Sequence, residues 1–171
     1  VSLYVNGQLF IEEGNKMKLK QIAELNKKEK SGFKTSGILL EDWVHEQLPQ
    51  LKRNPPKSKT DFTFNKVGVD VKGCHAGKHN NNIFIEAIQN VRLNSIPSHI
   101  TNPNILLLYV DYDTGVCTII NWGKLYSQCK NQKLVSGGYE AKGWIVNLDS
   151  LVADGFAAKL CHLEDTQIVE G

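Results

Sequence analysis

The sequence is short of cysteine, methionine and proline, and it has no long hydrophobic run. The four cysteines, Cys74, Cys117, Cys129 and Cys161, include no C-x-x-C pair. With no signal peptide visible in the opening VSLYVNGQLF, they read as reduced thiols of an intracellular, cytoplasmic protein. A zinc site drawn from Cys74, His75, His79, Cys161 and His162 lacks ligand spacing. No apolar run approaches the ~20 residues that span a bilayer, so no membrane role is expected. Internal repeats, coiled-coil heptads and low-complexity tails are also missing. The first residue is not Met, which points to processing or trimming.

What remains is ordinary globular material. The 171 residues, 41% apolar and 22% charged, fit one domain with a sizeable core. The net charge of +2 says little, but its distribution says more. Residues 1–80 carry 14 Lys/Arg against 9 Asp/Glu, and residues 81–171 carry 6 against 9. A basic first half suits a polyanion-binding face, although a lysine-rich solvated helix explains much of Lys16–Lys34 equally well.

The chain is organised around Thr60–Gly73, TDFTFNKVGVDVKG. Asp61–Phe64 and Val67–Lys72 read as two strands joined by a tight turn at Asn65-Lys66. In the second strand Val67, Val69 and Val71 alternate with Gly68, Asp70 and Lys72. Asp70 and Lys72 therefore share a face, and Asp61 can lie across from them. Two carboxylates and an ammonium at a hairpin edge can hold a divalent metal and place a water beside it, as phosphodiester hydrolysis requires. The plain alternative is a surface hairpin with a solvated Asp and Lys.

This pattern resembles the PD-(D/E)XK nuclease superfamily, whose signature is an acid, a spacer, and Asp or Glu-x-Lys on a neighbouring strand. The matching residues are Asp61 and Asp70-Val71-Lys72. Thr60 stands where the family often has proline, and Asp70 takes the place of the commoner glutamate. The resemblance implies that Asp61, Asp70 and the Val71 carbonyl hold Mg²⁺, with Mn²⁺ as a substitute, and that Lys72 serves the attacking water or the phosphorane charge. It also extends upstream. Gly37-Ile-Leu-Leu-Glu41 is similar to the Gly-x-x-x-Glu helix before the hairpin in Holliday-junction resolvases and other members, which implies Glu41 as a further metal ligand. The plain alternative for Glu41 is a helix-surface acid, the usual fate of glutamate, but its flanking by Leu39, Leu40 and Trp43 favours the site.

Along the rest of the chain, Ser2–Glu12 reads as a hairpin about Asn6-Gly7. Met17–Lys30 reads as a basic amphipathic helix closed by Ser31-Gly32, a packing or dimer element that also offers lysines to phosphate. A second helix runs from a Ser36 cap to Pro49. Lys52–Lys59 reads as a polar loop whose Lys52, Arg53, Lys57 and Lys59 can touch a DNA backbone. Beyond Lys72, Gly73–Asn82 is a second polar loop. Its His75, Lys78, His79, Asn80, Asn81 and Asn82 are groups that meet base edges or phosphates, and the two histidines can alternatively assist the chemistry. Ile83–Ile88 reads as a strand, with Glu86 and Gln89 as accessory polar residues on opposite faces. A turn or short helix is expected over residues 95–103. Ile105–Val110 reads as a strand covered on both sides. Asp111–Gly115 then turns into Val116–Trp122, and the turn chemistry explains Asp111 and Asp113 better than a metal pair does. A helix over Trp122–Cys129, a strand over Gly143–Asp149 and a closing helix over Asp149–Leu160 complete the reading.

The expected fold is therefore α/β, a restriction-endonuclease-like mixed sheet flanked by helices. Residues 1–34 form a hairpin and basic helix, 35–125 the catalytic core, and 126–171 the C-terminal elements. The implied activity is Mg²⁺-dependent endonucleolytic cutting of duplex DNA, of the small type II restriction or homing kind, by a homodimer matched to a symmetric site. A Holliday-junction resolvase is the nearest alternative. From other classes come a catalytically inactive DNA-binding or assembly protein on the same fold, and an interaction domain with no nucleic-acid role.

Overall fold

The computed structural model describes residues 2–5, 8–11, 13–29, 35–138 and 140–160, with side chains from residue 18 onward. Its architecture is mixed α/β. Two strands open the chain, β1 (Ser2–Val5) and β2 (Gln8–Ile11). They pair antiparallel with Val5 opposite Gln8, which leaves two residues for the connection, as the Asn6-Gly7 signal requires. Asn6, Gly7 and the Ser31-Gly32 stop lie outside the described residues.

Helix α1 (Glu13–Lys28) starts earlier than Met17 and buries Leu19 and Ile22. Helix α2 (Thr35–Gln47) buries Leu40, Trp43 and Val44. Its N-terminus departs from expectation, because Ser36 is not the cap. The Glu29 carboxylate, just beyond α1, accepts the backbone N–H of Thr35 at 2.6 Å and of Ser36 at 2.8 Å. The Ser36 hydroxyl donates instead to Asn26 Oδ1 at 3.3 Å. An acid there satisfies two of the unpaired N–H groups at a helix start and complements its positive dipole end.

The main sheet has six strands: β3 (Lys52–Arg53), β4 (Phe62–Phe64), β5 (Val67–Cys74), β7 (Leu106–Asp111), β8 (Cys117–Asn121) and β11 (Ala157–Lys159). They lie in the order β11-β8-β7-β5-β4-β3. Only β5 and β7 run parallel, and every other neighbouring pair is antiparallel. The expected loop over Lys52–Lys59 is thus corrected at its start, where Lys52 and Arg53 pair with Thr63 and Phe62. Between β4 and β5, Asn65 (φ 46°) and Lys66 (φ 67°) are both left-handed, the geometry of a two-residue type I′ turn.

Strand β7 is buried throughout. Leu106, Leu108 and Val110 face a cluster with Leu19, Ile22, Leu40, Trp43 and Val44 of α1 and α2. Leu107 and Tyr109 face the opposite cluster, with Ile83, Ile85, Trp122, Leu125, Trp144 and Leu148. The continuous apolar run at 105–110 therefore reports two covered faces, as its composition implies.

The second cover is a three-stranded sheet of β6 (Asn82–Ile88), β10 (Lys142–Asn147) and β9 (Val135–Ser136), in the order β6-β10-β9. Helix α4 (Trp122–Cys129) packs with it, and α3 (Ser98–Thr101) lies in the crossover between β6 and β7. The pairing of β10 with β6 shifts register between Lys142 and Gly143. A Cβ on Gly143 would sit 2.0 Å from the Ile85 carbonyl oxygen, so only glycine permits this approach. The expected closing helix over 149–160 is corrected. Helix α5 (Leu148–Ala153) stops at Asp154 and a left-handed Gly155 (φ 79°), and the chain then adds β11 beside β8. Among the described residues no helix is long and apolar enough to cross a membrane.

Candidate active site

The β4–β5 hairpin brings Asp61, Asp70 and Lys72 together. Asp70 is level with Leu107 and Lys72 with Tyr109, and both partners belong to the cluster on the second face. Asp70 and Lys72 thus share that face, while Val69 and Val71 pack on the first. The antiparallel register pairs Phe62 with Val69, which sets Asp61 opposite Asp70. Two hydrogen bonds fix that juxtaposition. The Asp61 N–H donates to Asp70 Oδ1 at 3.3 Å, and Asp61 Oδ2 accepts the Val71 N–H at 2.9 Å.

Asp70 is buried, 5% exposed, yet keeps charged and polar neighbours. Burial and then the Asp61 charge push its carboxyl upward in pKa, against the opposing pull of Lys72 and of hydrogen bonds from Asp61 and Ser98. The Ser98 hydroxyl donates to Asp70 Oδ2 at 3.3 Å. Both Asp70 oxygens are therefore held.

Glu41 comes to the site from α2. Burial first, then the Asp61 charge, raise its pKa to about 7, with Asp42 and Asp70 adding and Arg53 opposing. Three carboxylates, Glu41, Asp61 and Asp70, are thus within electrostatic reach of one another. Such crowding is relieved by a cation. The donors are hard oxygens, which suit Mg²⁺ and not a soft metal. Among the described residues, however, no three His, Cys, Asp or Glu side chains converge as a ready-made cage.

A residue the sequence reading passed over is His99 of α3, 2% exposed. Its Nε2 lies 2.6 Å from the Glu86 carbonyl oxygen, so Nε2 carries the hydrogen and donates. Nδ1 is then a bare acceptor, buried without a partner among the described residues. Burial, aided by the Lys72 charge, lowers the imidazole to about 4. The ring stands edge-on to Trp122 at 5.4 Å, and Trp122 Nε1 donates to the His99 carbonyl at 2.7 Å. Ser98 and His99 thus bring α3 over Asp70 and Lys72. Locally Pro97-Ser98 signals only a helix start; nothing in it announces what the turn covers.

The other candidates divide. Lys52, Lys57 and Lys59 are exposed. Arg53 is engaged by Asp42, an ion pair between β3 and α2. His75 Nδ1 lies 2.9 Å from Asp113 Oδ2, and Lys78 Nζ 3.3 Å from Asp113 Oδ1. His79 is exposed, at the end of a short 3₁₀ turn (Ala76–Lys78). The asparagines tie that loop to β10 and α5: Asn147 Nδ2 donates to the Asn80 carbonyl and Asn82 Oδ1, each at 3.1 Å, and Asn81 Nδ2 to Asp149 Oδ2 at 2.8 Å. Glu86 is half-buried on the face of β6 opposite Ile85 and Ala87, as alternation expects. Gln89 accepts from the Ser95 hydroxyl at 3.2 Å, at the base of the next loop.

Asp111 does turn chemistry, as expected, accepting from Gly77 N, Asp113 N and the Thr114 hydroxyl. Burial pushes the thiols of Cys74 and Cys117 up to about 12, which keeps them protonated and unreactive at neutral pH. Cys161 and His162 lie outside the described residues. Comparison of the chain with family models, curated proteins and solved structures finds no match to any of them.

Proposed function

We propose that the chain is a Mg²⁺-dependent endodeoxyribonuclease that hydrolyses duplex DNA at specific sites. The observation that carries this reading is the mutual placement of Asp61 and Asp70 across one hairpin, with Lys72 on the same face and Glu41 within reach of both charges. It supports the resemblance to the PD-(D/E)XK superfamily on the residues that define it.

Asp61, Asp70, Glu41 and the Val71 carbonyl would hold the metal. When bound, Mg²⁺ supplies Lewis acidity toward water and phosphate. The protein's own part is to concentrate negative charge at one point and to set Lys72 beside it. A fixed ammonium next to Asp70 orients an attacking water or offsets charge growing on the phosphate, and does so best where water is excluded. Ser98 holds the second Asp70 oxygen and keeps the carboxylate aimed. Hydrolysis adds water across the P–O3′ bond, and the resemblance implies 5′-phosphate and 3′-hydroxyl ends.

One observation favours a second reading, a DNA-binding or assembly protein without catalysis. Asp61 Oδ2 already accepts the Val71 N–H, and the acids are not gathered as a closed cage. Incubation with mixed plasmid and phage DNA, in Mg²⁺ or EDTA, beside Lys72→Ala, separates the two. Discrete Mg²⁺-dependent fragments that vanish with the variant support the nuclease. Unchanged binding without cutting supports the second reading. Cutting confined to four-way junctions, whatever their sequence, moves the substrate to the resolvase alternative.

A further inference from the structure

After β6 the chain makes a short excursion, Gln89–Pro97, before α3. Its backbone is heavily tied. Gln89 N donates to the Ser95 carbonyl at 2.8 Å, Ser95 N to the Asn90 carbonyl at 3.0 Å, and Asn94 N to the Val91 carbonyl at 3.4 Å. Asn90 Oδ1 accepts the Leu93 N–H at 3.1 Å, and Asn94 (φ 49°) turns the tip. From outside the loop, the Glu140 carbonyl accepts the Val91 N–H at 3.0 Å, and its carboxylate lies 2.9 Å from Arg92 Nε.

This braced loop presents apolar side chains to solvent. Leu93 is 78% exposed, more than any other large hydrophobic residue described, and Val91 and Ile96 are 44% and 46% exposed. A connecting loop has no need of a leucine at its apex. Three such side chains are too few for the ~1,600 Å² of a standard protein–protein interface. They alternate with Asn90, Arg92, Asn94 and Ser95. That mixture of basic, amide and apolar groups is how proteins enter a DNA groove, with Arg and Asn on base edges and an apolar wedge at a base step. The loop also leads straight into Ser98, which holds Asp70. Leu93 lies five positions before Ser98, a reach of at most ~18 Å, or about five steps of ~3.4 Å along a duplex.

We infer that the 90–96 loop is a groove-reading wedge, with Leu93 pressed against a base step a few nucleotides from the scissile phosphate and Arg92 released from Glu140 to the DNA. The inference rests on the nuclease reading above and names the element that meets the duplex next to that site.

The test uses the full chain and the DNA cut by the wild type, with Leu93→Ala and Leu93→Trp. Leu93 is exposed, so Leu93→Ala is expected to keep the wild-type melting temperature. It should weaken duplex binding, measured with Ca²⁺ in place of Mg²⁺, and site cutting by about tenfold. The tryptophan of Leu93→Trp should be quenched when the duplex binds, against a background from Trp43, Trp122 and Trp144, which are all buried. Wild-type cutting with Leu93→Ala unchanged within twofold overturns the wedge and leaves the nuclease reading standing. Conversion of a dimer to a monomer by Leu93→Ala, seen by sedimentation, also overturns it and assigns the loop to a second copy. A wild type that neither binds nor cuts DNA removes the reading beneath the inference, and the wedge with it.

Discussion

Asp61 and Asp70 face each other across one antiparallel pair, the N–H of the first donating to the carboxylate of the second at 3.3 Å. The Asp61 carboxylate returns the contact one residue along, at Val71 N. The two acids are therefore placed by main-chain groups, and their spacing does not depend on a bound ion. Asp70→Asn keeps the size of the side chain and removes the charge. On the proposed nuclease reading it is expected to leave the fold intact and to lower cutting at least 100-fold, as a plasmid nicking assay would measure. On the same reading Lys72→Ala should lose a similar factor in rate with duplex affinity held within a few fold.

Glu41 makes the protein's stability depend on pH in a definite sense. Its folded pKa, about 7, is above its ordinary 4.5. The associated stability is complete below pH 4.5 and is lost as pH rises through about 7. Glu41→Gln removes that loss. The difference in unfolding free energy between variant and wild type should grow from near zero at pH 4 to on the order of 1–2 kcal/mol at pH 8, solvent screening of this partly exposed carboxyl reducing the full effect. Urea denaturation at both pH values checks it, and a flat difference would remove Glu41 from the acid cluster. Mg²⁺ should raise the wild-type melting temperature at pH 8 and raise that of Glu41→Gln less.

His99 works in the opposite sense. Its folded pKa of about 4 lies below the ordinary 6.5, so its stability is present above pH 6.5 and is lost as pH falls through about 4. The imidazole should remain neutral at pH 5.5 in a ¹⁵N NMR titration, with Nε2 as the protonated nitrogen. A ring that charges near pH 6.5 would contradict the buried geometry. The Glu41 and His99 windows overlap and oppose, so these two contributions should largely offset between pH 4.5 and 6.5, while Asp70, whose pKa is also raised, adds a loss as pH rises.

Lys66 occupies a left-handed position that glycine adopts without penalty. Lys66→Gly should stabilise the fold by about 1 kcal/mol, read as a higher urea midpoint at constant slope. The contrary case is Gly143→Ala, whose Cβ meets main chain that cannot swing aside. A loss of about 1–3 kcal/mol is expected there.

The legible parts of the chain were those written in local periodicity or turn chemistry. Val67–Lys72 alternates cleanly, and Asn65-Lys66 sits where a type I′ turn must, so the hairpin and its Asp61–Asp70 pairing could be read directly. Ile105–Val110 announced two covered faces by composition alone. What escaped depends on distant partners. Lys52-Arg53 looks like loop because its strand character comes only from Phe62-Thr63. Residues 149–160 carry a helical pattern that Gly155 interrupts, and β11 exists because β8 offers an edge. The α2 cap comes from Glu29, six positions before Thr35, and His99 reaches the site through a crossover. Arg53, His75 and Lys78 look like unpaired polar side chains in sequence, and in the fold each has a carboxylate partner.

Among the described residues the six-stranded sheet ends in two short strands, two residues in β3 and three in β11. Lys52 and Arg53 occupy one margin and Lys159 the other. Such brief margins discourage strand-by-strand growth between molecules. Two copies laid margin to margin would gain very few main-chain bonds. A twofold assembly of this chain should therefore not run through the margins of the six-stranded sheet, and that sheet should end within each copy.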